Sequence, residues 1–356
     1  MTATARSLRW MMVLGAVLAM MFLVGACGSD DDEGGGAGGG ASGGAESSDS
    51  ADAKTVGLIM DVLRNDKSFG QATFEGATRA AEDLNLELSV VDNVGADPKK
   101  AETATVNLAR ESDILVNGAQ AMTGVMPRIA GDFPDKQFGV YAVAVEGPDN
   151  LHWVYQDWYP LAYVAGIVAG RTTKSNVVGF VGGGEIPPTI AGEAAFKTAI
   201  KSVNPDIKVL STITGDFNDP AKGRDATSAQ IAQDADVVYS FLDAGHEGAV
   251  AAAKRAGDVK LISVVLPKCD FSQGVEIGDT VSRQDELVYE LIKGMVEGGF
   301  KNTVFGIQDP EVADFKFCEG EGSPELKQEI EDVRAKFTSG ELETPDELQS
   351  AQSGGD

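Results

Sequence analysis

The chain has 356 residues, with 55 acidic against 29 basic side chains and a net charge of −26. Such a field repels nucleic acid and anionic lipid head groups, which excludes anionic polymers as partners. With only His152, His246 and three cysteines to draw on, a zinc site has too few ligands, and neither a metal nor another cofactor is expected.

The chain opens with Arg6 and Arg9, an apolar run from Met11 to Ala26, and the residues Val24-Gly25-Ala26-Cys27. That order reads as a bacterial secretory signal ending at a lipid-modified cysteine, Cys27. An ordinary signal peptide or a membrane-spanning helix, with Cys27 incidental, is the alternative. No cluster of Lys and Arg stands after the cysteine. Asp30-Asp31-Asp32-Glu33 stands there instead, and then a Gly, Ala and Ser tract to about Ala53. Small polar residues bury no core, so the tract reads as a flexible acidic tether. Residues 1–26 are therefore a lipoprotein signal peptide, and 27–53 a lipidated Cys with its tether. Loss of Arg6 and Arg9 takes the net charge from −26 to −28. The expected address is the extracytoplasmic face of the cell membrane, lipid-anchored. In an oxidising compartment the two remaining cysteines, Cys269 and Cys318, are expected to pair. Two separate buried thiols are the alternative.

From Lys54 onward β-rich runs alternate with amphipathic ones. Thr55–Met60 reads as a strand, and Phe69, Ala72, Gly76, Ala77, Ala80, Ala81 and Leu84 recur at helical spacing. Glu87–Asp92, Ile114–Asn117 and Gln137–Val143 read as strands, with helices at Pro98–Arg110, Gly124–Ala130 and Leu161–Gly170. The pattern restarts with strands at Val177–Val181, Lys208–Ile213, Val237–Leu242 and Lys260–Val265. Helices are expected at Ile190–Val203, Pro220–Asp234 and Glu247–Ala256. The tail adds a helix at Asp285–Gly298, a strand at Thr303–Ile307, and a helix capped by Ser323 and stopped by Gly340. This alternation predicts an α/β protein of two doubly wound parallel-sheet lobes. The lobes are expected over 54–160 plus about 283–310, and over 161–282 plus the helix 323–340. Ligands of open α/β sheets bind at the carboxyl ends of the strands, so a ligand cleft is expected between the lobes.

Three strand-end motifs stand out. The first is Asn65-Asp66-Lys67-Ser68-Phe69. Its polar residues suit helix capping, while Phe69 suits an apolar wall with Asn65 or Asp66 as polar ligand contacts. The second is Gly182-Gly183-Gly184-Glu185-Ile186-Pro187. Pro187 spoils a dinucleotide fingerprint, so the loop reads as a tight turn that lets the lobes approach. The third is Gly215-Asp216-Phe217-Asn218-Asp219-Pro220. It sets Phe217 at the matching turn of the second lobe, and two opposed aromatic faces hold a planar ring.

Asn65–Phe69, Gly179–Pro187 and Phe217–Gly223, in this order, resemble the basic membrane protein family, the substrate-binding lipoproteins of ABC transporters. The resemblance covers about Lys54 to Pro345. It implies a type I periplasmic-binding-protein fold and a purine nucleoside stacked between Phe69 and Phe217, with polar contacts from Asn65 and Asp66. The family's sugar-holding groups are replaced here. Ala142 and Val265 stand where it has Asp, and Ser282 with Arg283 stands where it has Lys. Asp243, Asp157 and Arg283 are expected to form a different polar set. The expected function is capture of a nucleoside-like or other planar aromatic solute for an ABC permease, by a monomer. A ligand sensor docking to a receptor is one alternative. An enzyme acting on nucleosides is another, kept open by His246 at a helix start after Asp243, although the strand-end loops have neither a G-x-S-x-G elbow nor an Asp-x-Asp pair of metal carboxylates.

Overall fold

The computed structural model describes residues 54–95, 97–118, 120–141 and 143–352. Cys27, its flanks and Ala142 lie outside the described residues. The first sheet contains β1 (Thr55–Ile59), β2 (Glu87–Val91), β3 (Ile114–Asn117), β4 (Gln137–Tyr141) and β5 (Leu151–Gln156). The second contains β6 (Val177–Gly182), β7 (Lys208–Ile213), β8 (Val237–Phe241), β9 (Lys260–Val265) and β10 (Glu276–Ser282). Late in the chain β11 (Thr303–Phe305) returns to the first sheet and β12 (Ala313–Phe317) to the second. The orders are β2-β1-β3-β4-β5-β11 and β7-β6-β8-β9-β10-β12. Every pairing is parallel except β10 with β12, which is antiparallel. The all-parallel expectation for the second lobe is corrected at that edge.

Between strands run α1 (Phe69–Asp83), α2 (Pro98–Glu111), a 3-10 turn at Gln120–Val125, α3 (Met126–Asp132) and α4 (Trp158–Thr172). Next come α5 (Pro187–Val203), α6 (Pro220–Ile231), α7 (His246–Ala256) and the short α8 (Cys269–Ser272). The chain closes with α9 (Gln284–Glu297), α10 (Pro324–Ser339) and α11 (Asp346–Gln352). Among the described residues no helix is long and apolar enough to cross a membrane.

The chain passes between the sheets three times: at Gln156–Trp158, at Ser282–Gln284, and from Phe305 to Ala313. Helix α4 is buried all round from Trp158 to Ala169. Leu161, Val164, Ile167 and Val168 each contribute about 1.5–3 kcal/mol by burial there. Helix α9 returns to the first sheet and lies against α1. At Gly76 a Cβ would stand 2.2 Å from the Asp285 carbonyl oxygen, so only glycine permits that approach.

Candidate functional site

A cavity opens where the carboxyl ends of the two sheets meet. Four aromatic residues, Phe69, Trp158, Phe217 and Phe241, line it. Phe69 is the first residue of α1, and Asp66 holds that helix start. The Asp66 carboxylate accepts from the backbone N–H groups of Ser68 (2.9 Å), Gly70 (2.9 Å) and Gln71 (3.0 Å). Tyr141 backs the Phe69 ring, with centroids 5.1 Å apart and planes 21° from parallel. Its hydroxyl lies 2.6 Å from Thr73 Oγ1, which fixes the pair to α1. Burial raises the Tyr141 phenol well above its ordinary value.

Phe217 stands in the β7–α6 connection, which Asp219 caps by accepting from Ala221 N (2.8 Å) and Lys222 N (3.2 Å). The glycine run after β6 is its seat. A Cβ at Gly183 would lie 2.2 Å from the Phe217 ring, and one at Gly184 3.2 Å. The expectation that these glycines let the lobes approach is corrected: they let an aromatic ring lie on the backbone. Trp158 meets Phe241 edge to face at 5.2 Å, and Phe241 stacks on Phe180 at 6.0 Å. Such pairs hold ring orientation beyond simple burial.

The polar lining is Asp61, Gln156, Asp243 and Gln284. Gln284 Nε2 donates to Ser282 Oγ at 2.7 Å, and Ser282 Oγ donates to Gln156 Oε1 at 3.4 Å. Gln156 Nε2 donates to the carbonyls of Asp157 (2.9 Å) and Phe305 (3.3 Å). This network ties the three crossovers together behind the cavity. Asp243, at the end of the β8 segment, accepts at Oδ1 from the Phe69 backbone N–H of the other lobe, at 3.4 Å. Burial first, and then the charge of Asp66, push its carboxyl up to about 7. The nearby Lys268 ammonium is lowered, by burial above all. At the rim Lys67 Nζ pairs with Glu247 across the cleft at 2.8 Å and lies 5.2 Å from the Phe271 ring centroid. The cleft thus has aromatic walls, a short polar edge and two contacts across it.

A family model described as "ABC transporter substrate-binding protein PnrA-like" matches residues 53–343. The chain belongs to this family. Its members are non-enzymatic, extracytoplasmic substrate-binding proteins of ABC transporters, and this chain is an ABC transporter solute-binding protein. It is 27% identical over 274 residues to basic membrane protein D of Borreliella burgdorferi, covering 73% of this chain and 78% of that one. It is 26% identical to a purine-binding protein of Brucella abortus, over 72% of each chain. It is also 26% identical to the nucleoside-binding protein BmpA of an ABC transporter of Lactococcus lactis, over 55% and 57% of the two chains. Among solved structures, an ABC-transporter solute-binding protein of Aeropyrum pernix superposes with a TM-score of 0.74 at 21% identity, covering 84% of this chain and 98% of that one. That likeness shows the fold, the type I periplasmic-binding-protein arrangement.

The other expected family site residues are only partly gathered at the cavity. Phe69, Phe217 and Asp243 line it; Asn65, Asp66 and Arg283 do not. Asn65 is exposed. Asp66 is spent on capping α1 and faces an adjoining recess shared with Lys67 and Lys268. Arg283 turns away to grip Asp285 with two hydrogen bonds, of 2.8 and 2.7 Å. Asp157 caps α4, accepting from Tyr159 N at 3.1 Å, and its other oxygen accepts from Thr344 at 2.6 Å. Of these four, Asp66 and Asp157 are engaged by backbone donors and Arg283 by Asp285, while Asn65 stands exposed. Trp158, Phe241, Gln156 and Gln284 were not foreseen.

His246 is buried and reaches both Glu276 (3.2 Å) and Ser272 (3.4 Å) through Nε2. A relay between nucleophile and acid would use both ring nitrogens. Cys269 and Cys318 are joined, with Cα atoms 5.4 Å apart, and tie α8 to the chain just beyond β12. Among the described residues the one cluster of metal-type ligands is this pair with Asp279. With the sulfurs bonded to each other, their thiolate capacity is used up.

Proposed function

We propose that the protein captures a purine-class planar solute, base or nucleoside, between Phe69 and Phe217 and delivers it to an ABC permease from a lipid anchor at Cys27. The observation that carries this reading is the pair of phenyl rings from opposite lobes on one cavity. Each is held by its own device, Tyr141 for Phe69 and the Gly183–Gly184 backbone for Phe217. A sugar or amino-acid site would need many more hydrogen-bonding groups than Asp61, Gln156, Asp243 and Gln284 offer. The printed names of the Brucella and Lactococcus relatives, purine-binding and nucleoside-binding, support the same ligand class.

Mass spectrometry of small molecules released on denaturing the purified protein tests the ligand class. A purine-type aromatic compound is expected; a sugar or an aliphatic amino acid would contradict it. The anchor is tested separately. Cys27→Ser should abolish labelling by a palmitate analogue and release the protein from the membrane, whereas persistent labelling would remove the anchor.

A further inference from the structure

Val265 ends β9, pairs with Val281 of β10, and lines the cavity. Its φ is +69°. A β-branched residue in the left-handed region is a genuine outlier, because its Cβ substituents crowd the backbone. Such strain persists where the surroundings over-determine it, and it clusters at ligand sites. Val264 and Leu242 line the same cavity, so three aliphatic residues stand together at the ends of β8 and β9.

The polar groups nearby each make bonds within the protein. Asp243 Oδ1 accepts the Phe69 N–H. Gln156 Nε2 donates to two crossover carbonyls, and Gln284 Nε2 donates to Ser282. Asp61 follows β1 and lines the same cavity. There its carboxylate can accept an N–H from the edge of a clamped ring. A pentose attached to that ring and lying against Val264, Val265 and Leu242 would bury hydroxyls without partners, which is unfavourable.

Resting on the purine-class reading above, we propose that the cavity takes the bare planar heterocycle, a free nucleobase, and that Val265 is the specificity-determining residue that excludes an attached sugar. Calorimetric titration of the full chain with adenine, hypoxanthine, adenosine and inosine tests this. The wild type should bind a base at least tenfold more tightly than its ribonucleoside. Val265→Gly removes both the side chain and the φ strain. It should narrow that ratio at least fivefold. Val265→Asp, which adds an acceptor, should narrow it too. Wild-type binding of a ribonucleoside as tight as that of its base overturns the proposal, and so does an unchanged ratio in both variants. Nucleoside binding that weakens in Phe69→Ala would leave the ring clamp standing while this proposal falls. No binding of any of the four probes would overturn both.

Discussion

The backbone N–H of Phe69 and the carboxylate of Asp243 meet across the cleft at 3.4 Å. The residue that supplies one wall of the ring clamp therefore also supplies a contact between the lobes. Lys67 and Glu247, 2.8 Å apart, flank that contact at the rim. Both are substantially exposed, so that pair adds well under about 1 kcal/mol. The buried Asp243 is the sensitive partner.

Asp243 makes stability depend on pH in a definite direction. Burial and the facing carboxylate of Asp66 raise its carboxyl to about 7, while the facing Lys268 ammonium opposes them. A carboxyl raised on folding contributes stability while it is protonated. That contribution is complete below the unfolded value, roughly 3.9, and is lost as the pH rises through about 7. Asp243→Asn keeps an oxygen for the Phe69 N–H and removes the titration. Between pH 4 and 7.5 the wild type should lose about 1 kcal/mol or more of unfolding free energy relative to this variant. Parallel stability curves in urea over that range would contradict it.

Gly183 should behave as a ligand-site residue although it has no side chain. Its alanine would set a Cβ 2.2 Å from the Phe217 ring. The ring must then leave its seat. Gly183→Ala should weaken binding of the purine-class ligand as much as Phe217→Ala does, with an overpacking cost of about 1–3 kcal/mol. Wild-type affinity in Gly183→Ala would show that Phe217 is not held this way.

The bridge between Cys269 and Cys318 closes a loop across 49 positions. The native protein should weigh two hydrogens less than its reduced form. Reduction should lower the unfolding free energy by about 2–4 kcal/mol. Alkylation of both thiols in the native, non-reduced protein would exclude the bridge.

The strands that sequence pattern shows plainly are those dominated by apolar residues, such as Val177–Gly182 and Lys260–Val265. The strand Glu276–Ser282 escaped because its polar residues are buried and satisfied inside the sheet. Glu276 meets His246, Asp279 meets Ser263, and Thr280 donates to the Ser263 carbonyl. Leu151–Gln156 escaped because His152, Trp153 and Tyr155 carry mixed polarity, although Tyr155 is buried. Ala313–Phe317 is a short antiparallel edge. Those omissions explain three of the four site residues that were missed, since Phe241 lies in a strand that was expected. Gln156 and Trp158 follow from the strand Leu151–Gln156, and Gln284 follows from Glu276–Ser282. Phe69 and Phe217 were legible because each sits between a clear strand and a capped helix. Asp66 and Asp157 were harder to assign, because a carboxylate at a helix start looks the same in sequence whether it caps or binds.

The ring clamp is tested most directly by calorimetric titration of wild type, Phe69→Ala and Phe217→Ala with adenine. Losing one stacked face costs on the order of 1 kcal/mol beyond lost burial. Each variant should therefore bind at least roughly fivefold more weakly than the wild type, with an unchanged circular dichroism spectrum. Equal affinity in all three proteins would contradict the clamp.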